Sequence, residues 1–558
     1  MFNISCKLAV IAADVLSGAG LSGVVLSPGS RNAMLCHALK RRCPGARVVI
    51  DERSAAFIAL GMAEASERPA VMCCTSGTAP LNYAPAIAEA YYSQVPLIAL
   101  TADRPRHMID RLDGQTIHQP GIYHNYIKGE WDVSEESDAS EQIAEAYALA
   151  MAYPRGPVHI NIRIDLTGID LMPAYEQIDR LQEEKVWCHA LPRIDREEHF
   201  SNPGEWLAGK QYTMIVVGAH RRDARLSALL ERIARRNDCL VVCPPTAATR
   251  PAPGRCIAMP DITFALDGLP RPDMLLSLGG EPLSAPLKSF LRRNVGMDHI
   301  AVCQQGRPDT YDALRMVYHG DEVEILSHLV DALPAGDPDF APAWLNRECR
   351  SADLVNDFLC RSEFTALSAE VALIKSLRAG TVLHLSNGMT VRYAQYAADA
   401  LYRMGDIYCN RGVSGIDGCT STAIGTAMVT DGPVVLISGD MSAQYDMGAL
   451  ATAGIPDNFR MAVMNNGGGN IFRHVKSTRD YPTCEECLVG PVRLPLEQLA
   501  AAYGLAYFRA GDMSSLQAAI PAWLETGGAA VLEIVTDGRR DAEKYRKLIE
   551  YITAKNRL

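Results

Sequence analysis

Three doubly wound α/β domains in series are the fold class that the sequence predicts, and three observations predict it. The length of 558 residues exceeds what one hydrophobic core usually serves. Short apolar runs end repeatedly in Gly, Ser or Pro turns and give way to helical patterns, which is how parallel strands buried on both faces read. Two Pro-rich stretches divide these runs into three blocks, with expected domains at 1–175, 190–345 and 360–558.

In the first block Val24 to Leu26 leads into Ser27-Pro28-Gly29-Ser30-Arg31, and Val48 to Ile50 into Asp51-Glu52-Arg53. Val71 to Cys74 enters Thr75-Ser76-Gly77-Thr78, and Leu97 to Leu100 enters Thr101-Ala102-Asp103-Arg104-Pro105. Ligand groups of such sheets sit on loops after the strand carboxyl ends, where Arg31, Glu52, Ser76 and Arg104 fall. Residues 166–211, with Pro173, Pro192 and Pro203, read as a linker. The second block has expected strands Met214 to Val217, Leu240 to Cys243, Met274 to Leu278 and Ile300 to Cys303, with a turn at Gly279-Gly280. A second linker is marked by Pro334, Gly336, Pro338 and Pro342. The third block has Val382 to Leu385, Ile407 to Cys409, Val434 to Ile437, Met461 to Met464 and Val531 to Val535.

Composition narrows the function. Hydrophobic residues make up 48% and charged residues 21%, which is ordinary for a globular chain and argues against long disorder. The net charge of -11 comes with no Lys/Arg-rich block, which argues against a nucleic-acid or anionic-membrane surface. Met1 to Ala13 lacks the apolar core of a signal peptide, and no run approaches the roughly 20 apolar residues of a spanning helix. A soluble, cytoplasmic protein is expected. The 16 cysteines are scattered through apolar stretches, as in a reducing compartment. Cys484 and Cys487 form a lone Cys-x-x-Cys without a second pair, and are expected on an inert surface loop.

The sharpest chemical signal is Gly439-Asp440 at one strand end, followed after 24 residues by Asn465-Asn466-Gly467-Gly468-Gly469 at the next. Either alone is ordinary turn chemistry. As a pair at neighbouring strand ends they offer a carboxylate, an amide carbonyl and a loop backbone carbonyl, the oxygen set that Mg²⁺ accepts, with positions left for phosphate and water. The glycines let the backbone approach a diphosphate closely.

This pairing resembles the thiamine diphosphate signature of the decarboxylase and acetolactate synthase superfamily, with Met441 where the general pattern has Gly. The run Gly439-Asp440-Met441-Ser442-Ala443, continued by Tyr445-Asp446, resembles one branch, the 2-succinyl-5-enolpyruvyl-6-hydroxy-3-cyclohexene-1-carboxylate synthases of menaquinone biosynthesis. The loops after the first four strands agree with that branch. So do Gly156-Pro157-Val158-His159-Ile160-Asn161 and the stretch from Asn410-Arg411-Gly412 through Ser414-Gly415-Ile416-Asp417-Gly418.

The resemblance implies decarboxylation of 2-oxoglutarate and addition of its four-carbon remainder to isochorismate, with thiamine diphosphate and Mg²⁺ or Mn²⁺. It assigns Asp440, Asn466 and Gly468 to the cation. Glu52 would hydrogen-bond the aminopyrimidine, which asks for an apolar setting that keeps a proton on the carboxyl. Its bland alternative is a first-turn acid at a helix N-terminus. Ile416 would wedge under the bent cofactor, with Ile471 and Phe472 beside it. Ser76, Gly77, Gly412, Ser414 and Gly415 would line the cofactor, as would Gly439, Met441, Ser442 and Asn470. Both substrates are dicarboxylates, which calls for guanidinium forks from Arg31, Arg104, Arg392 and Arg411. Ser30, Gln115 and Asn387 would add substrate hydrogen bonds.

Three departures leave contacts open. Gly388 stands where the family usually has serine, Gly114 where asparagine is expected, and Ala285-Pro286 where some members carry a basic pair, with Lys288 close by. In the superfamily two subunits share each site, which implies at least a homodimer, with a homotetramer also in view. The competing expectations are an acetolactate synthase-like enzyme or simple 2-oxo acid decarboxylase, and a cofactor-free scaffold. Loss of Glu52 or Asp440 would mark the scaffold, and both are present.

Overall fold

The computed structural model describes residues 3–168, 170–184, 186–192, 204–304, 306–490, 492 and 494–556. Three parallel sheets are formed. The first contains β1 (Gly23–Leu26), β2 (Arg47–Val48), β3 (Ala70–Cys74), β4 (Leu97–Asp103), β5 (Glu130–Val133) and β6 (Val158–Arg163), in the order β2-β1-β3-β4-β6-β5. The second contains β7 (Thr213–Val217), β8 (Cys239–Val242), β9 (Met274–Leu278), β10 (Asp298–Cys303) and β11 (Leu314–His319), in the order β11-β10-β9-β7-β8. The third contains β12 (Val382–Leu385), β13 (Ile407–Tyr408), β14 (Val434–Gly439), β15 (Phe459–Asn465), β16 (Ala506–Ala510) and β17 (Ala530–Val535), in the order β13-β12-β14-β15-β17-β16. The first and third sheets therefore share one strand order.

The chain forms two compact units. One contains the first sheet together with Gly412–Asp431 and Tyr445–Phe459. Its central strands β3, β4 and β6 are buried throughout; β3 is an unbroken apolar run, whereas β6 alternates apolar residues with His159, Asn161 and Arg163, which are buried as well. The segments that join it from far along the chain do so through helix Cys419–Ala427, which packs on helix Glu52–Ser66. The crossing is close enough that a Cβ on Gly61 would lie 1.9 Å from the Thr422 carbonyl oxygen, and one on Gly425 would lie 2.0 Å from that of Ile58.

The other unit holds the second and third sheets. Both have buried cores on their own faces, and Trp344 and Trp523 are fully buried in them. The strand order reverses next to β1, β7 and β12 in the three sheets, and loops after the strand carboxyl ends flank each of these points; the first and third sheets reverse again where β6 and β17 insert inside the edge strands β5 and β16.

Several expectations are corrected. The strand expected at Val48 to Ile50 is Arg47–Val48, with Ile50 81% exposed. Part of the expected linker at 166–211 is the helix Leu171–Glu184, whose Ala174, Ile178 and Leu181 are buried against the first sheet's helices. Pro173 is tolerated there because it stands in the first turn, where its missing N–H costs nothing. Pro203 of that linker lies outside the described residues. Pro342 falls inside the helix Phe340–Arg361, so the second linker is shorter than expected. Cys484 is buried, with its Sγ 3.8 Å from the Phe472 carbonyl, so the expected surface loop is half interior.

Gly61→Ala is expected to lower the unfolding free energy by about 3 kcal/mol, because a backbone carbonyl has to move to admit the methyl group. Denaturant unfolding of the purified variant reads this directly.

Candidate active site

In the first unit Glu52 opens the helix Glu52–Ser66, but Asp51 is its cap. Asp51 Oδ1 accepts the N–H groups of Arg53 at 2.9 Å and Ser54 at 3.3 Å. Glu52 is thereby spared the capping role. Burial pushes its carboxyl above the ordinary value, opposed by its own backbone N–H and reinforced by Asp51. Ser76 and Gln115 are interlocked: Ser76 Oγ donates to the Gln115 carbonyl at 3.0 Å, and Gln115 Nε2 donates to that of Ser76 at 3.1 Å. Gly77 N–H donates to Gln119 Oε1 at 3.2 Å.

Arg31 is buried and gives Nη1 to the Ile164 carbonyl at 2.8 Å. Burial, and then the nearby Arg104 charge, lower its pKa, with Asp165, Asp113 and Asp103 opposing, so the two guanidinium groups lie close together among carboxylates. Arg104 donates to the Gly114 carbonyl and pairs with Asp113 at 3.6 Å. Ser30 is exposed on the same turn as Arg31.

The Gly412–Ile416 loop belongs to this unit as well. Glu89, buried in helix Ala84–Ser93, accepts Gly412 N–H on Oε1 at 2.7 Å and Val413 N–H on Oε2 at 2.8 Å. A Cβ on Gly412 would lie 2.7 Å from the Glu89 carbonyl oxygen. Ser414 sits at φ 63°. Asp446, fully buried, accepts Ser421 N–H at 2.6 Å, the Ser421 hydroxyl at 2.7 Å and the Ser54 hydroxyl at 3.4 Å. Burial raises its carboxyl to about 7 against these donors.

In the second unit Asp440 and Asn466 do come together. Asp440 is buried. Its Oδ2 accepts the N–H groups of Asn466 at 3.1 Å, Gly467 at 2.7 Å and Gly468 at 3.0 Å, and its Oδ1 accepts that of Met441 at 2.7 Å. Burial raises its carboxyl despite these amides. Asn466 Oδ1 is buried with no hydrogen-bond partner among the described residues. Asp541, beside it, accepts Ala366 N–H at 2.9 Å and the Thr536 hydroxyl at 2.7 Å; burial raises its carboxyl, and hydrogen bonds including one with Asn466 oppose that.

An orphaned amide oxygen next to a carboxylate, with the Gly468 carbonyl on the same turn, fits a small hard cation. Gly468 sits at φ 144°, and its Cβ would lie 2.4 Å from the Gly490 carbonyl oxygen, so glycine is required. Gly439 N–H donates to Ser386 Oγ at 3.2 Å, and Ser442 and Asn470 are buried. Ile471 and Phe472 are half-buried on the turn that follows.

The remaining arginines lie in this unit. Arg411 Nη1 donates to Asn387 Oδ1 at 2.8 Å, and its Nε donates to Glu281 Oε2 at 2.9 Å. Lys288, the cation left near the missing basic pair, also binds Glu281. Burial pushes the Glu281 carboxyl up, and the hydrogen bonds from Lys288 and Arg411 more than offset it. Arg392 donates to the Gly388 carbonyl; burial and then Arg411 lower its pKa. Gly388 sits at φ 111°, a conformation that a serine would hold only under strain.

Both glycine departures thus carry a carbonyl that accepts from an expected substrate arginine. Glu89, Glu281 and Asp541 escaped the sequence reading. The only signal for Glu89 and Glu281 was an acid inside an apolar or Gly/Pro context, and Asp541, among charged neighbours, gave none.

Two stretches match family models for thiamine pyrophosphate enzymes: residues 6–135 the N-terminal TPP binding domain, and residues 388–534 the C-terminal one. The fold agrees with solved structures: a chain from Mycobacterium smegmatis (TM-score 0.72, 17% identity, covering 95% of this chain and 99% of that one) and benzoylformate decarboxylase from Polynucleobacter necessarius (0.67, 16%, 95% and 98%). The class is that of thiamine diphosphate-dependent enzymes.

Within it, the chain is 33% identical over 576 residues to the 2-succinyl-5-enolpyruvyl-6-hydroxy-3-cyclohexene-1-carboxylate synthase of Porphyromonas gingivalis, covering 97% of this chain and 96% of that one. It is 35% identical over 511 residues to the synthase of the same name from Desulfotalea psychrophila, covering 88% and 91%. The chain belongs to this synthase family.

Asp446 supplies a pH signature. Its folded-state pKa of about 7 exceeds the ordinary value of 3.8, so the native state holds a proton that the unfolded chain releases. The stability it contributes is complete below about pH 4 and is lost as pH rises through about 7. Asp446→Asn is expected to flatten the fall in unfolding free energy between these limits, measured by denaturant titration at a series of pH values.

Proposed function

We propose that the chain decarboxylates 2-oxoglutarate and joins the four-carbon remainder to isochorismate, giving 2-succinyl-5-enolpyruvyl-6-hydroxy-3-cyclohexene-1-carboxylate and carbon dioxide in menaquinone biosynthesis. Family membership supports the reaction, and the observation that carries the site is the orphaned Asn466 oxygen beside Asp440. Bound thiamine diphosphate supplies the electron sink that a 2-oxo acid needs to lose carbon dioxide.

The chain's own residues do the rest. Asp440, the Asn466 side-chain oxygen and the Gly468 carbonyl hold Mg²⁺ or Mn²⁺, and the small residues around Gly439 and Ser442 leave room for a diphosphate. Glu52, with its raised carboxyl, keeps a proton to share with the aminopyrimidine ring. Ser76, Gly77 and the Gly412–Ile416 loop line the cofactor, with Ile416 as the apolar wedge. Arg31, Arg104, Arg392 and Arg411 bind the carboxylates of two dicarboxylate substrates. Ser30, Gln115 and Asn387 orient them through hydrogen bonds.

The protein works as a homo-oligomer, at least a dimer, in the cytoplasm. Val48 and Ile50, large apolar side chains exposed just before Glu52, support a covered surface there. No helix among the described residues is long and apolar enough to cross a membrane.

Incubation with both substrates, thiamine diphosphate and Mg²⁺ is expected to give the cyclohexene carboxylate by mass spectrometry. Rapid carbon dioxide release without isochorismate, or a preference for pyruvate, sinks the assignment. Glu52→Gln is expected to lower kcat by about 100-fold or more while calorimetry still records cofactor binding. Mixing Glu52→Gln chains with Asp440→Ala chains is expected to restore part of the activity, since one active site of a mixed dimer would carry neither change. A mixture that exchanges subunits and stays inactive rules out shared sites.

A further inference from the structure

Glu281 follows β9 on the loop at which the second sheet reverses its strand order. Close backbone contact fixes that loop: Gly280 N–H donates to the Ala219 carbonyl at 2.8 Å, and a Cβ on Gly218 would lie 1.7 Å from the Gly280 carbonyl oxygen. The carboxylate is therefore delivered to a set place, among three cations. Arg411 directs Nε and Nη2 at Oε2, and Lys288, on helix Ala285–Arg292, directs its ammonium at Oε1. The Arg411 and Glu281 side chains are 10% and 29% exposed, so water screens the pair only in part. Arg392, close enough to Arg411 to feel its charge, has no carboxylate partner among the described residues.

Glu281 thus binds two of these cations, the third, Arg392, facing Asp261 as well, and it occupies two N–H groups of an arginine read as a substrate ligand. An arriving carboxylate would use those same donors. We propose that Glu281 is an internal competitor for the substrate carboxylate: it fills Arg411 in the resting protein, yields to the substrate, stays tethered by Lys288 once displaced, and so sets substrate affinity. This rests on the reading of Arg411 given under the proposed function. The alternative is a positioning role, in which Glu281 merely aims the guanidinium. The two differ in sign, because removing a competitor tightens binding whereas removing a positioner loosens it.

The test is calorimetric titration of glutarate, a dicarboxylate that lacks the reactive carbonyl, into the full-length chain with thiamine diphosphate and Mg²⁺ present. Glu281→Gln is expected to bind glutarate at least fivefold more tightly than the parent. Lys288→Met, which removes the tether, is expected to bind it at least threefold more weakly. Unchanged or weaker binding by Glu281→Gln overturns the proposal. Should that variant fail to fold, Glu281→Asp, whose arm is one carbon shorter, is expected to shift affinity in the same direction, and a loss of affinity there overturns it equally. Arg411→Met separates the two levels. If it binds glutarate as the parent does, the substrate reading of Arg411 falls and the proposal with it. If it loses glutarate while Glu281→Gln gains nothing, the proposal alone falls.

Discussion

The Asp440 carboxylate, with four backbone N–H groups donated to it, is the constraint on which the third sheet's strand tips depend. β14 and β15 are neighbours in that sheet; β14 runs straight into the helix Asp440–Tyr445, whereas β15 ends in a turn that would otherwise be free to choose its own conformation. Three amides of the Asn466–Gly468 turn converge on Oδ2, so that turn is set by a side chain from the preceding crossover. Charge-assisted hydrogen bonds of this kind are about twice as strong as neutral ones, and burial makes leaving them unmade expensive. Oδ1, with a single N–H donor, keeps capacity for a further partner. The turn's other consequence is the Asn466 side-chain oxygen, buried without a partner in the described residues. A polar atom left in that state is costly unless a ligand repays it.

Buried acids hold distant segments elsewhere by the same means. Glu89 takes two consecutive amides of the Gly412 loop, and Asp446 takes one amide and two hydroxyls. Glu89 reaches across 323 residues to a loop with few apolar side chains of its own, whereas Asp446 ties together two packed helices through Ser421 and Ser54. Hydrophobic burial cannot specify the Gly412 loop, whereas directional hydrogen bonds to a carboxylate can. The cost is carried by the acids: burial raises Asp440 and Asp446 toward the neutral form, even with donors in place.

How much of this was legible in the sequence follows from burial. The central strands β3, β4, β7, β9 and β14 are largely apolar, and the runs that announced them are the strands observed to within one or two residues, except that β4 continues three residues further, through Asp103. The edge strands β5, β11 and β16 carry partly exposed positions and charged residues, so they gave no such run. β6, between β4 and β5, was recognised only as a motif. The helix Leu171–Glu184 was hidden by Pro173 and by flanking charges, although Ala174, Ile178 and Leu181 stand at helical spacing. In the site, Gly439-Asp440 and Asn465-Asn466 were legible because both halves of the contact sit at strand ends. Glu89 and Glu281 were not, because their partners lie 323 and 130 residues away and sequence spacing says nothing about such pairs.

The two glycine departures show why a missing side chain need not mean a missing interaction. At Gly388 the backbone adopts φ 111°, and at Gly114 nothing lies near the absent Cβ, so neither glycine is explained by crowding. What they have in common is a carbonyl turned toward an arginine, Arg392 in one case and Arg104 in the other. A serine or asparagine side chain can offer an arginine a single oxygen acceptor, and a peptide carbonyl offers the same chemistry with no rotamer entropy to lose. Glycine, by freeing φ, is what lets the carbonyl at Gly388 face that way. Each guanidinium then gives away one N–H and retains others in its planar fork, which is the condition for gripping a second acceptor.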